Sequence, residues 1–159
     1  ATDTGLPVVV ALPPDRPLRN AAIAGLPVTR VFAENARDGM AHSLRAGLKA
    51  LPAGSDLLLL LADLPEITTG DLNRMKEEHA GHPDQILRAT SDTGVPGHPV
   101  VFPASLLPDL MALTGDQGAR AVLEAQSDRI RPVPLPGRRA ITDLDTPEDW
   151  AAWRSGNSA

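Results

Sequence analysis

Short apolar runs alternate with stretches of helical periodicity along this chain. Buried strands are predicted at residues 7–12, 29–32, 57–62, 86–90 and 99–102, with further short extended segments at 130–134 and 140–142. Helices are predicted at residues 17–24, 39–51, 69–80, 105–113 and 119–126, and after Thr146. Strands that alternate with helices are typical of a mainly parallel sheet with helices on both faces. The pattern therefore predicts the α/β class.

The run LLLLLA at residues 57–62 is the longest apolar segment. It has no alternation, so periodicity alone does not separate a strand from a buried helix. Its shortness, and the stop that follows at Asp63-Leu64-Pro65, favour a central strand covered on both faces. Residues that follow such a strand lie at the carboxyl edge of the sheet, where ligands bind in open α/β folds.

Composition narrows the functional classes. The chain has 159 residues, 42% of them hydrophobic, which suits one globular domain. Cysteine is absent, which excludes disulfides, thiolate zinc sites and a cysteine nucleophile, and is compatible with a reducing compartment. The net charge of −5 and an aromatic content of 3% argue against a nucleic-acid partner, because such partners need a basic surface or stacking aromatics.

The ends and the apolar runs of the chain bear on its location. The longest apolar run is far too short to span a bilayer, and no signal-peptide pattern is visible at the start, so we expect no membrane association and a cytoplasmic location. The segment from Ser155 to Ala159 is expected to be a loose tail. We therefore expect a single domain over residues 1–154.

Asp63 is the first candidate for chemistry. A carboxylate just beyond a buried strand can hold a hard cation such as Mg²⁺, which accepts one or two protein carboxylates and leaves its other positions to phosphates and water. An Asx-turn, in which Asp63 bonds the backbone before Pro65, explains the same residue equally well.

A second acidic segment precedes the last helix. Asp143 and Asp145 are two residues apart, so on extended backbone they face the same side and can complete a metal site with Asp63. Taken alone, the polar lead-in to a helix capped by Thr146, with Pro147 in its first turn, is the better explanation.

The segment Gly94-Val95-Pro96-Gly97-His98-Pro99 holds a histidine between glycine and proline, which restricts its backbone. His98 can donate to a substrate oxygen or take part in proton transfer. A hairpin turn with an exposed histidine is the simpler alternative when this motif is considered alone.

Two glycine-containing segments precede helices. Gly115 and Asp116 lead into the helix at 119–126, where free backbone N–H groups can favour an anion, although an ordinary helix cap explains them as well. Asn35, Gly39 and Ser43 surround the start of the helix at 39–51. Their short polar side chains can bind a nucleobase edge, and helix capping is again the simpler reading.

The sequences of these motifs and their order along the chain are together more specific than any single motif. The segments DGMAHSLRAGL from Asp38, LLLLLADLPEIT from Leu57, GVPGHPVVFP from Gly94, LTGDQGAR from Leu113 and ITDLDTPEDW from Ile141 carry the resemblance. With them the chain, from about Pro7 to Trp153, resembles the molybdenum cofactor nucleotidyltransferases (the MobA-like NTP transferases), and most closely their cytidylyltransferase branch. The resemblance implies a Rossmann-like nucleotidyltransferase fold.

The resemblance also implies the roles of individual residues. Asp63 would be the principal Mg²⁺ ligand and catalytic carboxylate, with Asp145 as the second and Asp143 as its less favoured substitute. The residues implied to line the nucleotide base and ribose are Asn35, Gly39 and Ser43. Those implied to shape the pterin acceptor pocket are Gly97, His98, Gly115 and Asp116.

One family element has no counterpart in this sequence. Family members open with a strand and a loop of the form Leu-Ala-Ala-Gly-x-Ser-x-Arg-x-Gly, followed by a lysine, which cradles the triphosphate. Here residues 1–12 resemble the family's second strand, and residues 2–7 contain no basic side chain. We therefore expect a domain without its first strand–loop–helix unit. Loss of that unit would remove a neighbour from a central parallel strand and expose apolar surface.

The activity implied is Mg²⁺-dependent transfer of CMP, or GMP, from a nucleoside triphosphate to molybdopterin, with release of pyrophosphate. A molybdoenzyme or its chaperone would be the protein partner. Two alternatives stay open: a non-catalytic nucleotide- or cofactor-binding module, and a nucleotidyltransferase acting on a sugar or isoprenoid phosphate.

Overall fold

Strands and helices alternate along the computed structural model, which describes residues 1–156. The strands are β1 (Val9–Leu12), β2 (Thr29–Phe32), β3 (Leu57–Leu59), β4 (Ile86–Thr90), β5 (Pro96–Phe102) and β6 (Ile130–Pro134). The helices are α1 (Pro17–Ala22), α2 (Met40–Leu48), α3 (Thr69–Gly81), α4 (Leu107–Ala112), α5 (Arg120–Ala125) and α6 (Pro147–Gly156). Single 3₁₀ turns lie at Thr2–Thr4, Ala36–Asp38, Ala104–Leu106, Ser127–Arg129 and Arg139–Ile141.

The strands form two sheets. β1 and β2 pair in parallel as one sheet, with Val9 opposite Thr29. The other sheet has the order β3-β5-β4-β6, in which β4 and β6 are parallel and β5 runs antiparallel to both of its neighbours. Both crossovers between parallel strands pass through helices, so the predicted α/β class is confirmed.

The leucine run does not form a central strand. β3 covers only its first three residues and lies at the edge of the four-stranded sheet, with β5 as its partner. Its residues are half-buried rather than fully covered. The expectation of a central strand is wrong within residues 1–156, because β3 makes no ladder on its outer edge there.

Apolar side chains of the four-stranded sheet fill two cores, one on each face. Ile86 and Val100 pack with helices α2, α4 and α5 on one face. Leu87 and Val101, each one position along, pack with Met75 of α3 on the other. Because consecutive strand residues point to opposite faces, these continuous apolar strands need helices on both sides, as the sequence pattern predicted.

Two helices begin with the same capping motif in different surroundings. Thr68 accepts a hydrogen bond from the Asp71 amide at 3.2 Å, and the Asp71 carboxylate accepts from the Thr68 amide at 2.9 Å. Thr146 and Asp149 repeat this box at the start of α6, exposed to solvent. Asp71 is buried and also accepts from Arg139 at 3.3 Å, which links α3 to the 3₁₀ turn that carries Arg139.

Several boundaries differ from the prediction. Helix α2 ends at Leu48 rather than Leu51, and the segment predicted as extended at 140–142 contains part of a 3₁₀ turn. Helix α6 continues through Gly156, so Ser155 and Gly156 are helical, while the rest of the expected tail, 157–159, lies outside the described residues. Over residues 1–156, each helix is too short or too polar to cross a bilayer.

The two capping boxes provide a matched test of burial. We expect Asp71→Ala to lower the free energy of unfolding by about 2 kcal/mol, because it removes both the box and the contact of the buried carboxylate with Arg139. Asp149→Ala removes the same box at the surface and should cost clearly less. Urea denaturation of the two variants measures the difference, and equal losses would show that the Arg139 contact contributes nothing.

Candidate functional site

Asp63 and His98 meet at the end of the β3–β5 pair. β3 pairs with β5 through Leu59 opposite Val100, so His98, two residues earlier in β5, lies beyond the end of β3. Asp63 follows β3 by four residues, and its charge acts on the His98 ring. The structure therefore brings together two residues that are 35 positions apart in the sequence.

The Asp63 carboxylate has an unused acceptor. Its Oδ1 is buried and has no hydrogen-bond partner among residues 1–156. An Asx-turn would have satisfied this oxygen locally, so the turn explanation does not account for it. A buried carboxylate oxygen without a donor is suited to a cation, which it can bind directly.

The second acidic segment lies beside Asp63. The Leu144 amide donates to the Asp63 carbonyl at 3.0 Å, which places Asp143 and Asp145 on either side of that contact. Both of these carboxylates are exposed, and no group of three or more His, Asp or Glu in the described part of the chain is arranged to hold a metal unaided. One or two carboxylates with open positions suit Mg²⁺ or Mn²⁺, whose other ligands are water and substrate phosphates.

His98 is part of a strand, not of an exposed turn. β5 begins at Pro96, so the histidine is strand backbone with a half-buried side chain, and the peptide bond to Pro99 is cis. Burial lowers the pKa of His98 below its ordinary 6.5, and the positive charge of Arg88 lowers it further. A hydrogen bond to the Leu59 backbone and the negative charge of Asp63 raise the pKa, but they do not offset the effect of burial. At neutral pH the ring is therefore uncharged and can serve as a hydrogen-bond donor or acceptor.

Arg88 is a site residue that the sequence analysis missed. It lies in β4 within the otherwise apolar run ILRAT, is partly buried, and its Nε donates to the Gly97 carbonyl at 3.3 Å. Burial lowers its pKa, and the nearby charge of Arg120 lowers it further. An arginine inside an apolar strand was the available signal, since such a side chain is rarely kept without a partner or a ligand.

Gly39, Gly115 and Asp116 form a second cluster. Gly39 has a φ of 128°, and a Cβ there would lie 2.1 Å from the Gly115 carbonyl oxygen. That carbonyl also accepts from the Ala41 amide at 3.2 Å, in the first turn of α2. The start of α2 and the loop before α5 are thus in direct backbone contact. Gly39, which was predicted to line the nucleotide site, therefore lies against Gly115 and Asp116, which were predicted to shape the acceptor pocket.

Asn35 and Ser43 flank the same region. Asn35 is exposed, directly before the 3₁₀ turn at Ala36–Asp38. Ser43 is half-buried on α2 and lines a polar depression beyond the end of β1, together with Arg16 and Arg37. Arg37 forms an ion pair with Asp15 at the mouth of this depression. The two clusters interact electrostatically, since the charge of Arg120, which follows the Gly115 loop, acts on Arg88, and that of Arg88 acts on His98.

Gly97 has a packing role that its motif did not reveal. A Cβ at this position would lie 1.9 Å from the carbonyl oxygen of Ala140, so β5 and the 3₁₀ turn at Arg139–Ile141 touch through backbone alone. Gly97 is buried, and this close approach accounts for the glycine without any ligand.

Comparison with known proteins finds relatives in sequence and in structure. A family model described as the MobA-like NTP transferase domain matches residues 3–130. The chain is 28% identical over 120 residues to the purine catabolism protein PucB of Bacillus subtilis, a match that covers 74% of this chain and 57% of PucB. It therefore spans less than two thirds of that curated relative.

Solved structures have the same fold. Rv0371c from Mycobacterium tuberculosis superposes with a TM-score of 0.77 at 24% identity, over 94% of this chain and 75% of that one. A manganese complex of Rv0371c gives a TM-score of 0.77 at 25% identity, over 92% and 76%. A nucleotidyl transferase from Methanothermobacter thermautotroptrophicus gives 0.74 at 19% identity, over 96% and 74%.

The contact between Gly97 and Ala140 leads to a test. We expect Gly97→Ala to lower the free energy of unfolding by about 2–3 kcal/mol, because the added methyl group must push β5 away from the turn. Gly25→Ala is the matched control, since a Cβ at Gly25 meets nothing within 4 Å. Chemical denaturation of both variants checks this, and a Gly97→Ala protein as stable as Gly25→Ala would contradict it.

Proposed function

The chain belongs to the MobA-like NTP transferase domain family, and on this premise we propose that it is a divalent-metal-dependent nucleotidyltransferase whose metal is held by Asp63. The proposal rests on one observation above the others, the buried Asp63 oxygen without a hydrogen-bond partner in residues 1–156. Its position beyond the carboxyl end of a strand is the usual place for a ligand in α/β folds.

The carboxylate groups available in this region are suitable ligands for a divalent cation. Asp63 would be the principal ligand and Asp145, from the adjoining segment, the second, with Asp143 as the substitute. The manganese complex of Rv0371c, at 25% identity, supports a divalent ion in this fold family. When bound, such an ion neutralises charge on the phosphates and polarises the phosphoryl group that is attacked.

The proposed reaction is transfer of a nucleotidyl group. A phosphate oxygen of the acceptor attacks the α-phosphorus of CTP or GTP, the bond from that phosphorus to its bridging oxygen breaks, and pyrophosphate leaves. The attacking phosphate is already an anion at neutral pH, so no side-chain nucleophile or strong base is required. The work of the protein is then to position two anionic groups in line and to offset their repulsion.

The two clusters divide this work. Asn35, Gly39 and Ser43 would hold the base and ribose, near the start of α2. Gly97, His98, Gly115 and Asp116 would shape the acceptor pocket, and the uncharged His98 ring can donate to or accept from an acceptor oxygen. Arg88 and Arg120 add positive charge on this side, which suits an acceptor that carries a phosphate.

A pterin cofactor of the molybdopterin type is the proposed acceptor. Support comes from the family and from the GVPGHPVVFP and LTGDQGAR segments; Arg120 of the second segment acts electrostatically on Arg88, which donates to Gly97 of the first. Mg²⁺ is the proposed physiological ion and CTP the proposed donor, with GTP as the second choice.

Asp63→Asn is the central test. Replacing the carboxylate by an amide keeps its shape and removes its charge, so Mn²⁺ affinity measured by calorimetry should be lost and turnover of MgCTP should fall about a hundredfold or more. Asp145→Asn should weaken both measurements less severely, and Asp143→Asn should leave them near the unchanged protein.

Three outcomes bear on the proposal. Wild-type metal affinity and turnover in Asp63→Asn would overturn it. Loss of metal binding in Asp143→Asn but not Asp145→Asn would exchange the roles of these two residues. Tight binding of MgCTP with no transfer to any phosphorylated acceptor would favour the non-catalytic binding module instead.

Arg88 offers a second test, on the acceptor side. We expect Arg88→Met to raise the KM for the acceptor about tenfold with a smaller change in kcat, because the guanidinium binds ground state and transition state alike. Arg88→Lys should recover part of the loss, since it keeps the charge but not the fork of donors. Arg131→Met on the neighbouring strand β6 is the control, and an equal effect there would remove Arg88 from the site.

A further inference from the structure

Helix α6 is tied to the loop that follows Asp63. The indole N–H of Trp153, near the end of the helix, donates to Glu66 Oε1 at 3.2 Å. Glu66 is half-buried and lies three residues after Asp63, in a turn that the Ile67 amide closes by donating to the Leu64 carbonyl at 3.4 Å. The C-terminal helix is therefore attached to the same short loop that presents the candidate metal ligand.

The start of α6 is tied to Asp145. The Asp149 carboxylate accepts from the Thr146 amide at 3.0 Å and from the Thr146 hydroxyl at 2.7 Å. The backbone N–H of Asp145 directs a further hydrogen bond to the same carboxylate. Since α6 is one helix of ten residues held by its own backbone hydrogen bonds, the position of Asp145 follows that of Trp153.

A closed path of contacts joins the two candidate metal ligands. It runs along the loop from Asp63 to Glu66 and crosses to Trp153. Helix α6 then leads back to Asp145, and the Leu144 amide closes the path by donating to the Asp63 carbonyl at 3.0 Å. A single hydrogen bond at Leu144 acts as a hinge, about which the exposed Asp145 can swing. The second connection, at the far end of the helix, removes that freedom.

We propose that the hydrogen bond between Trp153 and Glu66 positions Asp145 for the divalent ion held by Asp63. Both members of this bond are positioning residues, and neither is a metal ligand. Mg²⁺ and Mn²⁺ require oxygen ligands in nearly octahedral directions, so a tilt of α6 that displaces Asp145 weakens binding even though both carboxylates are still present. The inference rests on the proposed function, because it needs a metal at Asp63.

Two tryptophan substitutions test the hydrogen bond. Trp153→Phe keeps an aromatic ring on α6 and removes the indole N–H, so Mn²⁺ affinity measured by calorimetry should fall about tenfold. Trp150→Phe is the matched control, because Trp150 lies one turn earlier on the same helix and meets the Trp153 ring edge-on, with centroids 6.2 Å apart. It should leave the affinity unchanged, and equal losses in the two variants would refute the proposal.

Glu66 separates the hydrogen bond from charge. Glu66→Gln keeps an oxygen that accepts from the indole and loses the charge, so its Mn²⁺ affinity should stay near that of the unchanged protein. Glu66→Met removes the acceptor and should reproduce the loss in Trp153→Phe, which also tests the bond from its other side. Equal losses in the two Glu66 variants would mean that its charge acts on the ion directly, against the proposal.

A double-mutant cycle shows whether Trp153 acts through Asp145. In an Asp145→Asn background, Trp153→Phe should cause no further loss of Mn²⁺ affinity, because the ligand that it positions is already gone. The same loss in both backgrounds would contradict this. Urea denaturation of each variant completes the test, since a fall in stability with unchanged affinity would make the contact purely structural.

Asp63→Asn distinguishes a failure of this inference from a failure of the proposed function. Mn²⁺ binding that survives Asp63→Asn would remove the metal site, and the positioning role with it. Binding that is lost in Asp63→Asn but unchanged in Trp153→Phe would overturn the positioning role alone.

Discussion

The register of strand β5 determines where the residues of the candidate site lie. It is paired on both edges, with β3 and with β4, and the pairing with β3 places His98 beyond the end of that strand, near Asp63. The same register brings Gly97 against the Ala140 carbonyl and within reach of Arg88. A slip of one residue would turn His98 to the opposite face of the sheet and put a side chain where only a glycine fits.

The protonation of the basic side chains in the site depends on burial as well as on neighbouring charges. Arg88 is partly buried and feels the charge of Arg120. Both effects lower its pKa, but the guanidinium stays protonated at neutral pH. His98, buried beside it, stays uncharged because a further cation there would be costly. The Asp63 carboxylate and the Arg88 guanidinium therefore both act on an imidazole ring that is itself uncharged.

Features that depend on residues close together in the sequence were predictable. Contacts between residues far apart in the sequence were not. The cap predicted at Thr146 is confirmed, because a cap is decided by residues three apart. Asp63 was predicted as a candidate metal ligand because it follows a leucine run. The edge position of β3, by contrast, depends on which strand pairs with which, and periodicity contains no information on pairing order. The contacts of Arg88 and of Gly97 follow from that order, so the first was overlooked and the second was given a binding role only.

The contact between Gly39 and Gly115 couples two loops that approach the cleft from different parts of the chain. Backbone touches backbone there, with no side chain in between that could rotate to absorb a displacement. Any side chain at Gly39 would therefore collide with the Gly115 carbonyl, and a substitution there must also displace the loop that carries Asp116.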